Sequence, residues 1–162
     1  MIFVAVSTIG FERLVRKMDD IAGRIDEDVI IQIGETKYYP KHAKYFDFTT
    51  EEEIKEFCRR ARIVVIHGGV GMILDALQEG VPVIVVPRLK KYGEHIDDHQ
   101  LYLARELEKQ DKITVVYDVD ELEVTLDQLG TKQRKLVKDR RLVDALKKYV
   151  AQFDRDRQSL HN

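Results

Sequence analysis

Residues 62–100 read Arg62-Ile63-Val64-Val65-Ile66-His67-Gly68-Gly69-Val70-Gly71, run on through Asp75-Ala76-Leu77 and Gly80-Val81-Pro82-Val83-Ile84-Val85-Val86-Pro87-Arg88, and close on Glu94-His95-Ile96-Asp97-Asp98-His99-Gln100. The first four apolar positions, all of them β-branched, form a strand buried on both faces, and Pro82 to Val86 form a second. Between them a glycine-rich turn opens into a helix that carries Asp75. Such a turn leaves backbone N–H groups aligned with the positive end of the helix dipole, which makes an anion site. Gly68, Gly69 and Gly71 lack Cβ atoms, so a diphosphate can approach the main chain around Val70 closely. A tight strand-to-helix turn that only needs glycine's backbone freedom stays open as the simpler reading.

The polar groups around the turn are spaced for more than one kind of contact. His67 ends its strand at the carboxyl side, where open α/β sheets bind ligands. Asp75 falls about two turns into the following helix and can accept hydrogen bonds from a ribose diol. His99 and Gln100 arrive at the start of a later helix on the same side of the sheet. Asp97, Asp98, His99 and Gln100 are consecutive there, so their side chains point about 100° apart and cannot all converge on one ion. Capping by Asp97 or Asp98 is expected instead, and no metal site. Arg88, Lys90 and Lys91 form a short basic cluster that can neutralise a diphosphate or simply be a solvated loop.

Taken in order, His67-Gly68-Gly69-Val70-Gly71, Asp75-Ala76-Leu77, Gly80-Val81-Pro82, Val86-Pro87-Arg88 and the late His99-Gln100 resemble the glycosyltransferase family 28 C-terminal domain, the donor-binding half of GT-B enzymes. That family's pattern runs His-x-Gly-x-Gly-Ser, Glu-Ala-Leu, Gly-x-Pro and His-Gln. Within it the likeness is to stand-alone donor-binding subunits of two-component transferases, both those using UDP-N-acetylglucosamine for lipid-linked oligosaccharides and bacterial exopolysaccharide glucuronosyltransferases. The resemblance implies a Rossmann-like α/β three-layer sandwich with a mostly parallel sheet. It implies an inverting hexosyltransferase subunit that is inactive alone, binds a UDP-sugar and needs no cofactor. A membrane-anchored acceptor-binding subunit is the implied partner, with cytoplasmic placement peripheral to the membrane through that subunit. A homodimer is left open. Donor contacts are implied at Thr8, Gly68, Gly69, Val70, Gly71, Asp75, Arg88, His99 and Gln100, with His67 as the catalytic or phosphate-orienting group. Two departures stand out: Met72 replaces the family's phosphate-binding serine, and Asp75 its ribose-binding glutamate. A non-catalytic nucleotide-binding or regulatory module is the alternative reading.

The chain has 162 residues, 44% of them hydrophobic and 35% charged, in the range of one globular domain. Lys and Arg total 27 against 29 for Asp and Glu, a formal charge of −2, so no basic field invites nucleic acid. Cys58 is the single cysteine, which excludes an internal disulfide. No run of 18 apolar residues occurs, so neither a signal peptide nor a membrane anchor is expected.

Ahead of the central stretch, Ile2 to Val6 predicts a buried first strand. Ser7-Thr8-Ile9-Gly10 turns into a helix with Phe11, Leu14, Val15, Met18, Ile21 and Ile25 at helical spacing. In the resembling family this loop carries Gly-Thr over the donor phosphates; here Ser7 stands in the glycine's place and Thr8 carries over. Ser7 or Thr8 as a mere helix cap is the competing reading. Val29 to Ile33 and Ala43 to Phe48 predict two more strands, separated by a loop with Tyr38 and Tyr39. Thr49-Thr50-Glu51-Glu52-Glu53 predicts a capped helix start. A Rossmann-type dehydrogenase is disfavoured, because Gly68-Gly69-Val70-Gly71 does not make Gly-x-Gly-x-x-Gly and does not follow the first strand. Beyond Ile113 to Val116, the last strand, Asp118 to Leu129 predicts a helix or a capped loop. Residues 1–130 are read as the nucleotide-sugar-binding domain and 131–162 as an amphipathic helical extension, with Leu136, Val137, Leu142, Val143, Leu146, Val150 and Phe153 apolar, packing on the domain or on a partner.

Overall fold

Six short strands, most of them rich in Ile and Val, assemble into one parallel sheet in a computed structural model, which describes residues 1–131 together with 141, 144–148 and 151. The strands are β1 (Ile2–Ala5), β2 (Val29–Gln32), β3 (Lys44–Phe46), β4 (Ile63–His67), β5 (Val83–Val86) and β6 (Thr114–Val115). Their order is β3-β2-β1-β4-β5-β6 and every neighbouring pair is parallel. This is the doubly wound arrangement, with its switch point between β1 and β4. The two central strands are buried at every position, which is why their sequences do not alternate with polar residues.

Helices cover both faces. Helix α1 (Glu12–Ala22) and α5 (Leu122–Thr131) pack on one side, where Leu14, Val15, Met18, Leu122 and Leu126 meet Ile2, Val4, Val65 and Ile84. On the other side lie α2 (Glu51–Arg60), α3 (Val70–Glu79) and α4 (His99–Lys109), with Cys58, Ile73, Ala76, Leu103 and Leu107 against Phe3, Val64, Ile66 and Val85. Alternate residues of a strand point to opposite faces, so each central strand feeds both cores. Burial pushes the Cys58 thiol up to about 12, as expected of an inert core cysteine.

Local signals explain several boundaries. Thr50 caps α2: its hydroxyl accepts from the Glu53 N–H while the Glu53 carboxylate reaches back to the Thr50 N–H. Gly80 ends α3 in the left-handed region at φ 71°. The expected third strand is shorter than Ala43 to Phe48, and the segment after β6 resolves into a 3₁₀ turn at Val119–Glu121 that leads into α5.

Helix α1 corrects an expectation. Its N-cap is Phe11, with no side-chain cap of its own, and neither Ser7 nor Thr8 serves. The Phe11 N–H donates instead to the hydroxyl of Thr36, 25 residues away, at 2.9 Å. Asp19, fully buried on the inner side of α1, likewise organises a distant loop. Its carboxylate accepts from the Tyr38 hydroxyl and from the N–H groups of Lys41, His42 and Ala43 at 2.6–2.9 Å. Burial alone would raise its pKa; those four donors outweigh burial and hold it below the ordinary carboxylate value. Tyr38 is therefore part of this support, whereas Tyr39 stays exposed beside Tyr45.

Of the expected C-terminal extension, Leu136, Val137, Leu142, Val143, Val150 and Phe153 lie outside the described residues. Residues 144–148 are helical, and Leu146 is buried in the core on the α2–α3–α4 side. Among the described residues no helix is long and apolar enough to cross a membrane.

Candidate functional site

The loops at the carboxyl ends of β1, β3 and β4 surround a cleft of about 210 Å³ lined by Ser7, Thr8, Gln32, Phe48, Met72 and Asp75, with Thr49, Glu51 and Ile54 at its α2 side. It opens beside the β1–β4 switch point, where a doubly wound sheet leaves a crevice that no connection crosses. Its volume is below the usual 300–1,000 Å³ of a complete small-molecule pocket, in keeping with one half of a site.

Helix α3 provides the anion end. Its N-cap is Gly69 in extended conformation, and no side chain caps it. The first backbone bond of the helix runs from Ile73 N–H to Gly69 C=O, so the N–H groups of its first turn keep no partner within the helix. The three glycines divide by role. A Cβ on Gly68 would come within 2.6 Å of the Gln100 Cβ, and one on Gly69 within 2.3 Å of His67 Nε2, so both are required by packing. A Cβ on Gly71 would meet nothing within 4 Å: this glycine faces open space, and an approaching anion can reach the helix end there.

His67, 7% exposed, closes β4 with its imidazole over Gly69. Its Nδ1 is buried without a hydrogen-bond partner. Burial, and then the nearby positive charge of Arg88, pushes the imidazole down to about 4, so at neutral pH it is uncharged. Asp75 lies on the next turns of α3 and lines the cleft together with Met72. Burial raises its pKa, and the Lys55 charge opposes that shift. The methionine that replaces the family's serine thus contributes an apolar surface to the cleft rather than a donor.

Gln100 and Arg88 are committed elsewhere. The Gln100 side-chain oxygen accepts from the N–H groups of Gly68 and Arg88, 3.2 Å each, and so ties the ends of β4 and β5 together. Only its NH₂ remains for a sugar hydroxyl. Arg88 is not part of an exposed basic cluster: it is 2% exposed, while Lys90 and Lys91 are exposed. Its guanidinium donates to the carbonyls of Val6, Ile9 and Gly10, with the Val6 bond at 2.7 Å, and lies 5.0 Å over the Phe11 ring. The expectation of a solvent-facing, diphosphate-neutralising Arg88 is corrected accordingly; the residue fastens the loop after β1. His99 is exposed at the first position of α4, where its N–H donates to Asp97 at 3.0 Å. The structure therefore gathers Thr8, Met72 and Asp75 around the cleft, leaves Gly71 facing open space one residue before Met72, packs His67, Gly68, Gly69 and Gln100 against one another, and places His99 at the start of α4.

Two cleft residues had no sequence signal of their own. Gln32 ends β2 and is 4% exposed. Its side-chain oxygen accepts from Val6 and Ser7 N–H at 3.2 and 2.8 Å, and its NH₂ donates to the Ser7 and Asp47 carbonyls at 3.0 and 2.8 Å. Phe48 is a large apolar ring, 57% exposed, on the cleft wall. The sequence had placed it as the end of a strand. No group of three or more His, Cys, Asp or Glu side chains that could hold a metal ion occurs among the described residues.

Comparison with known proteins agrees with this architecture. The mouse UDP-N-acetylglucosamine transferase subunit ALG13 is 29% identical over 119 residues, covering 67% of this chain and 10% of that protein. The human ALG13 is 30% identical over 120 residues, with the same coverage. The chain thus spans about a tenth of the length of these relatives. Among solved structures, Acinetobacter baumannii MurG superposes with a TM-score of 0.63 at 16% identity, over 91% of this chain and 49% of that one. The Streptomyces sp. SF2575 glycosyltransferase SsfS6, solved with thymidine diphosphate, gives 0.63 at 18% identity, over 91% and 37%. These two likenesses establish the fold: that of a GT-B glycosyltransferase's Rossmann-like half. The sequence profile of the glycosyltransferase family 28 C-terminal domain matches residues 1–153, a span that holds every described strand and helix, and the chain belongs to that family.

Proposed function

We propose that this chain binds the donor of a sugar-transfer reaction, a uridine diphosphate sugar, as one subunit of a two-component glycosyltransferase. The observation that carries the reading is a cleft lined by Thr8, Phe48, Met72 and Asp75, the last two on the helix whose amino end no side chain caps. In this reading the base lies against Phe48, and the ribose hydroxyls donate to Asp75. The diphosphate rests on the N–H groups around Gly71, and the sugar extends toward His99 and the NH₂ of Gln100. Negative charge grows on the diphosphate as the glycosidic bond to it breaks, so fixed N–H donors at a helix end lower the barrier electrostatically. Neutral, buried His67 is suited to orienting the turn or donating a hydrogen bond, not to taking a proton from an acceptor hydroxyl. The general base and the acceptor site then belong to a second, membrane-bound subunit. The likeness to UDP-N-acetylglucosamine transferase subunits supports a UDP-N-acetylglucosamine donor; UDP-glucuronic acid is the competing donor.

Calorimetric titration with UDP, UDP-N-acetylglucosamine, UDP-glucuronic acid and NAD tests this. Uridine nucleotides bind and NAD does not; Asp75→Asn weakens UDP about tenfold, or about 1.4 kcal/mol, by removing the carboxylate acceptor. Binding of NAD alone, or of no nucleotide, refutes the reading. A second reading, a regulatory module that binds nucleotide without transferring sugar, is favoured by one residue, the thioether of Met72 where the family has a hydroxyl. It predicts UDP binding but no sugar transfer after mixing with a membrane acceptor subunit, whereas the first reading predicts transfer.

A further inference from the structure

We infer that Gln32 is the positioning residue of the nucleotide cleft, fixing its two walls relative to each other and holding Ser7 in the backbone conformation that presents Thr8. This inference rests on the donor-binding reading above. One wall is the loop after β1, with Ser7 and Thr8, and the other the loop after β3, with Phe48 and Thr49; Gln32 lies in the cleft lining between them. All four hydrogen-bonding positions of its amide are used, three on Val6 and Ser7 and one on Asp47, the residue before Phe48. A buried amide satisfied on every side has one orientation, so it acts as a rigid bracket.

Ser7 needs such a bracket. Its φ of 62° lies in the left-handed region, where a residue with a Cβ is strained by about 1–2 kcal/mol. Gly34, itself at φ 55°, packs under the same loop, where an added Cβ would come within 2.1 Å of the Ser7 carbonyl. The loop therefore cannot settle by moving toward β2. The pair of bonds that Gln32 makes to the Ser7 N–H and C=O offsets the strain at the one residue whose reversal would swing Thr8 away from the cleft. A merely structural glutamine would bond within one loop or cap a strand. This one spans both walls of the proposed site and bonds both polar groups of the strained residue.

The probe is UDP, titrated into the full chain and measured well below the unfolding temperature of each variant. Gln32→Ala is expected to weaken UDP on the order of tenfold, and adding Ser7→Gly to recover several-fold of that loss, because glycine adopts positive φ without strain. A loss of stability without loss of affinity in Gln32→Ala, or a loss of affinity that Ser7→Gly does not touch, overturns the inference. Should Gln32→Ala not fold, hydrogen exchange on the parent chain decides. UDP must slow exchange at both 6–8 and 47–49 together, and protection confined to one segment overturns the bracket. A parent chain that binds no UDP refutes the donor-binding reading itself, a result distinct from any of these.

Discussion

The turn after β4 and the loop after β1 face the same cleft, and they are shaped in opposite ways. The β4 turn is local: Gly68 and Gly69 lack the Cβ atoms that would strike Gln100 and His67, and α3 starts at once. The β1 loop is held from outside. Gln32 bonds Val6 and Ser7, Arg88 bonds the carbonyls of Val6, Ile9 and Gly10, and Thr36 bonds Phe11. A segment shaped by its own small residues fails when something is added to it. A segment shaped by remote side chains fails when one of them is taken away. Substitutions that reverse either pattern would break the comparison.

The largest effect is expected from Arg88→Met. The methionine fills part of the space but leaves three loop carbonyls, that of Val6 fully buried, without their charged donor, a loss of about 3–4 kcal/mol. Urea unfolding measures it, and exchange at residues 6–10 should quicken far more than at 68–71. Equal quickening in both segments would mean that the two loops are not separately supported.

Next in size is the acid response of the β4 turn. Folded His67 takes up a proton only near pH 4, whereas the unfolded chain does so near 6.5. Between those values the unfolded state binds the extra proton, so this contribution to stability is whole above about pH 6.5, declines as pH falls from there to about 4, and changes no further below. The decline amounts to at most about 3 kcal/mol for a shift of this size. Comparing the pH dependence of unfolding in the parent with that in His67→Asn isolates it, since the asparagine variant lacks the slope over that window.

Gly69→Ala and Gly71→Ala sharpen the comparison inside the turn itself. The first pushes a methyl into the His67 ring and should cost about 2 kcal/mol; the second enters open space and should change stability by less than about 0.5 kcal/mol. Their effects on UDP should run the other way round, with Gly71→Ala the more damaging relative to its stability cost, because its methyl stands in the anion's approach. Thermal unfolding and UDP titration of the two proteins check both orders.

What could be read from the sequence follows the same division. Strands of Ile and Val, the Thr50–Glu53 capping box and the glycine turn each announce themselves within a few residues, because the physics that shapes them acts between neighbours. The doubly wound order followed from their succession. Arg88 could not be read so. Beside Lys90 and Lys91 it looks like one charge in a solvated cluster, and only folding shows that the β1 loop, about 80 residues earlier, leaves carbonyls for it to satisfy. Gln32 and Asp19 are polar residues at inward positions of otherwise apolar elements. That is a signal in principle, since a buried polar group must have partners, but those partners lie 15 to 26 residues away in sequence, and nothing beside Asp19 or Gln32 names them. Gln100 was expected to face a sugar; its oxygen faces Gly68 and Arg88 because two strand ends needed an acceptor.

The smallest effect tests the β1 loop where it is most strained. Ser7 at φ 62° sits where the resembling family has glycine, and the two hydrogen bonds between the Gln32 amide and the Ser7 N–H and C=O keep it there. If the loop's shape is imposed from outside, the serine works against it, and Ser7→Gly should raise stability by up to about 1 kcal/mol despite glycine's greater freedom in the unfolded chain. If the serine itself shaped the loop, its removal would instead cost stability and loosen exchange at residues 6–10. The sign of the change in urea midpoint, at unchanged slope, separates the two, because a strained residue relieved and a shaping residue lost move it in opposite directions.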